Sequence, residues 1–218
     1  MNVHDADPGP PDVGRRLLAF NWLPAGYAHD DWLGPWSPLL DPRSQASLRL
    51  LGRVSLALLE RYELKERHLR DLGDHVWLLN THKDILRLAD EIGTAMLGGW
   101  VQQRIERRAV EDQTRSLGVE RRHRALQHAQ TLRALPKGHR AGARGANGWP
   151  IAVEGLVGVY RLGVSCLAAL LDDPQDGARE RFTLRFAAGT VEPLFLEPAQ
   201  RDEALALIHG VLDQEIGK

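Results

Sequence analysis

A chain of 218 residues, 43% hydrophobic and 26% charged, has the make-up of an ordinary globular protein and is long enough to bury a core. Its formal net charge of −1 argues against a general nucleic-acid or membrane-surface binder. A single cysteine, Cys166, excludes an internal disulfide framework and any multi-cysteine zinc site, and it fits a reducing compartment.

The first 14 residues, MNVHDADPGPPDVG, are acidic and proline-rich and read as a disordered tail. They are the opposite of a signal peptide, with its basic start and apolar core, so the expected location is the cytoplasm. Residues 15–218 read as a single, mainly α-helical domain with at most a small β element near the C-terminus. From Leu17 to Pro42, Trp22, Pro24, Trp32, Pro35, Trp36 and Pro38 punctuate the chain. That spacing predicts an irregular, aromatic-anchored lead-in with only short helical turns. Its aromatic residues are either core anchors or an interface.

Ser44 to about Tyr62 follows a helical pattern, with Leu48, Leu51, Val54 and Leu58 on one side. A second, short polar helix is expected from Lys65 to Leu72. The apolar run HVWLLN after it is too short to classify. Thr81 to about Asp112 gives the clearest helical signal: Ile85, Leu88, Ile92, Met96 and Trp100 recur at helical spacing. Thr81 with Asp84 forms a capping-box-like start. Another helix is expected from about Val119 to Leu135, ended by Pro136. The stretch PKGHRAGARGANGWP, rich in glycine and basic residues, reads as a mobile loop over residues 136–149.

IAVEGLVGVYRLGVSCLAALL, residues 151–171, is long enough to span a bilayer. Glu154 and Arg161 would each cost roughly 2.5–3.5 kcal/mol near its centre, and seven residues apart they share one helix face. The segment therefore reads as a buried core helix, with no direct membrane insertion. RFTLRF alternates and predicts a short strand or extended edge. The last element, LEPAQRDEALALIHGVLDQEI, reads as a helix with Pro198 near its first turn and Leu205, Ile208 and Leu212 on one face.

No catalytic constellation stands out. In IGTAMLGGWVQQRIERR, residues 92–108, three glycines precede basic residues, as in a loop that cradles phosphate. But Gly93, Gly98 and Gly99 lie inside a running helical pattern, and the lysine of a phosphate loop is missing. Close helix packing, or a kink at Gly98–Gly99, is the better reading. His29, Asp30 and Asp31 suggest metal-dependent hydrolysis, but the other histidines show no i, i+4 pair, so polar groups at a helix start are the plainer account. Cys166 sits in the most apolar helix and reads as a buried small side chain. No cofactor is expected.

Charge is segregated. Residues 115–144 hold eight Lys or Arg against one acidic residue, whereas residues 172–218 hold ten acidic residues against five basic ones. The basic run is read as a solvated helix face and loop, as a partner-protein surface, or as a phosphate-contacting strip. Arg121, Arg122, Arg124 and Arg144 are its candidate partner-binding residues. Base-stacking aromatics are absent from residues 101–148, which weighs against the nucleic-acid alternative.

Three segments, in order, resemble the SctK family, the cytosolic accessory protein of the type III secretion sorting platform. They are LAFNWLPAGYAHDDWL, then LADEIGTAMLGGWVQQRIERR, then RFTLRFAAGTVEPLFLEPAQRDEALALIHGVLDQEI. Together they run from about Leu17 to Ile216. The resemblance implies a non-enzymatic adaptor in the bacterial cytoplasm. Its implied partners are the cytoplasmic forkhead-associated domain of the inner-membrane ring protein and the pod protein of the sorting platform. It supplies no catalytic or metal residues, and nucleic acid is not among its expected partners. The alternative is a nucleic-acid-associated regulator using the basic segment 115–144.

Overall fold

The computed structural model describes residues 13–40, 45–68, 72–133, 155–171 and 177–216. Residues 1–12 of the expected tail, the basic stretch 136–149 with Arg144, and Glu154 lie outside the described residues, whereas Val13 and Gly14, expected to end that tail, open a helix. The described chain is mainly α-helical, as its periodicity predicts. It gathers into two compact units, Met1–Asn80 and Thr81–Lys218.

In the first unit, α1 (Val13–Trp22) is followed by a 3-10 turn at Pro24–Gly26, a single helical turn α2 (Asp30–Leu33) and a second 3-10 segment, Gly34–Leu39. Then comes α3 (Gln45–Arg61). The ten-residue α1 corrects the expectation of an irregular lead-in. It lies upstream of Pro24, where the chain keeps all its backbone donors, and the prolines restrict only the residues from Leu23 onward. Residues 65–68 carry no helix, unlike the expected polar helix there, and 69–71 fall outside the described residues. HVWLLN forms part of a 3-10 segment, Gly73–Leu79, that buries Trp77, Leu78 and Leu79.

The core of this unit brings Ala25 and Leu33 against Val54 and Leu58 of α3, with Tyr62 packed at its margin. Of the four apolar positions expected on one side of α3, Val54 and Leu58 are buried while Leu48 is 68% exposed. The lead-in is held by polar as well as apolar contacts. The Asn21 side chain donates to the Arg67 carbonyl at 2.7 Å and accepts from the Arg67 N–H at 3.0 Å. The Tyr27 hydroxyl donates to the Phe20 carbonyl at 3.0 Å while the two rings stack.

The second unit is built on α4 (His82–Met96) and α8 (Gly155–Leu170). Between them in the chain come α5 (Gly98–Gln102), α6 (Arg107–Leu117) and α7 (Val119–Gln127). Thr81 caps α4 with a complete capping box: the Asp84 N–H donates to the Thr81 hydroxyl, and the Thr81 N–H to the Asp84 carboxylate. Ile85, Leu88, Ile92 and Met96 are fully buried along one face of α4. The single helix expected from Thr81 to Asp112 is instead three, because the chain turns at Leu97 and again between Gln103 and Glu106. Gly118, at φ +83°, makes the corner between α6 and α7, a backbone conformation that favours glycine.

The expected core helix is α8, where Val159, Leu162, Val164, Cys166 and Leu167 are buried and Arg161 is exposed. None of the described helices is long and apolar enough to cross a membrane. The glycines settle the packing question. A Cβ on Gly93 would overlap the Val159 carbonyl, and one on Gly163 would overlap the Ala89 carbonyl, so α4 and α8 meet backbone to backbone. A Cβ on Gly98 would stand 2.6 Å from the Ala125 oxygen. The Gly99 N–H donates to the Leu132 carbonyl at 2.9 Å. These glycines serve close approach at the break after α4.

RFTLRF, expected to be extended, belongs to α9 (Ala178–Thr183) and the turn after it. Phe182 and Phe186 pack ring to ring at 4.9 Å, and Arg181 and Arg185 are buried. The four-residue spacing of each pair, and not the two-residue alternation, is what the fold uses. The chain then reaches α10 (Pro198–Ile216), whose Ala204 and Ile208 are buried.

Candidate functional site

Polar chemistry in the second unit collects on the seam where α4, α7 and α10 meet. On α4, His82, Lys83 and Arg87 are exposed, whereas Asp90 and Glu91 are partly buried. Opposite them α7 presents Arg121 and Arg124, three residues apart and so on one face. Arg121 grips Asp90 through Nε at 3.0 and 3.2 Å, and Arg124 pairs with Glu91 and, at 3.7 Å, with Asp90. All four side chains are roughly 70% buried, so solvent screens them less than surface pairs.

Arg122 turns the other way, toward α6. Its Nε donates to the Gln113 side chain at 3.1 Å, and Gln113, fully buried, donates in turn to the Val101 carbonyl at 3.3 Å. The sequence therefore identifies a basic cluster, and the structure brings three of its four arginines onto one helix. It directs them at groups of the same unit. None of the three readings of the basic run anticipated these ion pairs, because Asp90 and Glu91 lie about thirty residues away along the chain. The available signal was the adjacent acidic pair on α4, set against a run in which Glu120 alone offsets eight basic residues.

One turn past Arg124 the seam continues to α10. His128 Nδ1 lies 2.8 Å from the Glu203 carboxylate, and both side chains are about three-quarters buried. Beside this pair runs a groove of about 570 Å³, with Arg87, Arg124 and His128 on one side and Ala206, Leu207, Gly210 and Val211 of α10 on the other. Arg87 donates to the Val211 carbonyl at 3.3 Å. The groove is open, and charged and apolar side chains line it in about equal number. It offers ion pairs and hydrogen-bond donors, and no nucleophile with an adjacent base.

The remaining candidates take structural roles. The His29 ring accepts from the Asp31 N–H at 3.2 Å and caps α2, while the Ser37 hydroxyl donates to Asp30. Among the described residues, no group of three or more His, Cys, Asp or Glu stands where it could hold a metal ion. Burial pushes the Cys166 thiol well above its usual range, the reverse of an activated nucleophile. The aromatic lead-in divides in two: Phe20 is buried, whereas Trp22 and Trp36 are about half exposed.

Comparison of the chain with protein-family models, with curated proteins and with solved structures finds no match.

Proposed function

We propose that this protein is a non-enzymatic cytosolic adaptor of a bacterial type III secretion sorting platform. In this reading it links the cytoplasmic forkhead-associated domain of the inner-membrane ring protein to the pod protein. The observation that carries the reading is where the residues of the three SctK-like segments lie.

Those residues are the ones that set this fold. Asn21 and Tyr27 of the first segment tie the lead-in by hydrogen bonds to main-chain carbonyls. Gly93, Gly98 and Gly99 of the second are points of close backbone approach in and just after α4. The third supplies the end of α9 and all of α10, with Phe182, Phe186 and Ile208 in the core. A resemblance carried by architectural residues supports a shared scaffold, and a scaffold with separate surfaces suits an adaptor.

The test is co-purification of the full chain with the ring protein's cytoplasmic domain and with the pod protein, at low and at high salt. Capture of both, weakening with salt, is the expected result. Capture of neither overturns the adaptor reading.

A further inference from the structure

α3 has two faces. One puts Val54 and Leu58 into the core of its unit. The other holds Arg49, Arg53, Leu56, Ala57 and Glu60, which are all exposed and fall on one side of a helix of about 3.6 residues per turn. Leu56 is 56% exposed at the middle of that outer face. Among the described residues, Arg49, Arg53 and Glu60 take no ion pair and no side-chain hydrogen bond. The remaining cation of α3, Arg61, lies over the Tyr62 ring at 5.4 Å.

The order of the free charges is the reverse of what an isolated helix favours. Glu60 stands in the last turn, the end that favours cations, and the two free arginines stand nearer the start. The order does suit a copy of itself. Arg53 and Glu60 lie two turns apart, with Leu56 and Ala57 midway between them. A partner helix carrying carboxylates alone would meet Arg53 but set a like charge against Glu60. A second copy, run antiparallel, answers both signs in one register.

We propose that this outer face of α3 docks against the same face of a second copy of the chain, antiparallel about a two-fold axis. The axis passes between Leu56 and Ala57, so Leu56 packs on Leu56 and Arg53 of each copy stands level with Glu60 of the other. The two-fold forms that ion pair twice, as an isologous contact requires. Arg49 of each copy then falls beside the C-terminal end of the other's α3, where a cation is favoured. One helix face is a small interface, so the dimer is weak and salt-sensitive. This inference is independent of the adaptor reading, which sets no stoichiometry.

Sedimentation equilibrium of the full chain over a concentration series at low salt tests it. The wild type is expected to move from the mass of one chain toward that of two. Arg53→Glu and Glu60→Arg, each alone, set like charges in register and are expected to raise the dissociation constant about tenfold or more. Mixed in equal amounts, these two variants are expected to pair with each other, because each supplies the charge the other lacks. A purely structural role for either residue would not produce that pairing.

Leu56→Glu is expected to dissociate the dimer. Leu48→Glu, at a 68% exposed site on the other edge of α3, is expected to leave it unchanged. Circular dichroism checks that each variant folds. A wild type of one-chain mass at every concentration overturns the proposal. So does a single charge variant that dimerises like the wild type, or a mixture of the two that pairs no better than either alone. A Leu48→Glu as disruptive as Leu56→Glu also overturns it, since the contact would then lie off this face.

Discussion

Gly163 of α8 lies against the main-chain carbonyl of Ala89 on α4, with no space between them for even a methyl group. Gly93 repeats the arrangement from the α4 side, against the Val159 carbonyl. Helix axes this close bring main chains into contact, and the apolar side chains of both helices pack around that line. Ile85, Leu88 and Ile92 of α4 and Val159, Leu162 and Leu167 of α8 are all buried.

Gly163→Ala therefore forces backbone apart. The expected loss is about 3 kcal/mol, at the upper end of overpacking costs, since the neighbour is main chain and not a side chain that can rotate away. Gly52→Ala, where open space surrounds the new methyl, should instead stabilise by up to about 1 kcal/mol. Urea unfolding of both variants beside the wild type measures the contrast, and equal effects would contradict this account of the glycines.

Loss of the α4 cap should register separately. Thr81→Ala removes the acceptor for the Asp84 N–H and the partner of the Asp84 carboxylate. About 1 kcal/mol of destabilisation is expected, and Thr81→Ser should keep most of the cap's contribution. The thermal midpoint reports the difference.

A double-mutant cycle on Arg121 and Asp90 should give a coupling energy of about 1 kcal/mol, because both side chains are largely buried and the Arg121 Nε–H is shared between the two carboxylate oxygens. Raising the salt should weaken it less than it weakens the exposed Arg107–Glu111 pair on α6. Coupling indistinguishable from zero would mean the seam is incidental to stability.

Cys166 is expected to resist alkylation in the folded protein and to react fully once urea unfolds the chain. Its thiol is buried, and that burial holds it protonated. Mass spectrometry after iodoacetamide treatment reads the outcome. Rapid labelling under native conditions would show that α8 opens locally.

Tyr160 carries a pH dependence. Burial pushes its pKa up to about 12 from the ordinary value of 10.0, so the unfolded chain gives up this proton first. With the unfolded state binding fewer protons, stability falls as pH rises from about 10 toward about 12, and the group contributes no slope below that window. Tyr160→Phe lacks the proton, so it should lose less stability than the wild type as pH rises from about 10 toward about 12, measured by urea midpoints. Parallel curves would remove Tyr160 as the cause.

The parts of the fold that could be read from sequence are those where one helix face decides everything. α3, α4, α8 and α10 each carry an apolar face at helical spacing, and Thr81 with Asp84 announces its own cap. Pattern failed where two periods compete. In RFTLRF the residues Phe182, Leu184 and Phe186 alternate like a strand, yet the Phe182–Phe186 contact is a helix-and-turn relationship. It failed at α1 because a proline constrains its own position and the residue before it, and α1 ends short of both. The seam was legible only in halves. Arg121 and Arg124 declare a basic face and Asp90 and Glu91 an acidic one, but nothing local records that they meet. The His128–Glu203 pair, with its partners still farther apart in sequence, left no signal at all.

The backbone contact between Gly93 and Val159 joins two helices that the ribosome makes far apart in time. Until α8 has emerged, α4 lacks the helix that packs most closely on it, and much of the face carrying Ile85, Leu88 and Ile92 stays open to water. Bringing α8 back to α4 closes more than fifty residues of chain, a cost in chain entropy that no local propensity can reduce. A nascent chain halted between α7 and α8 would expose that face, and would be a natural client for chaperones that bind apolar helices.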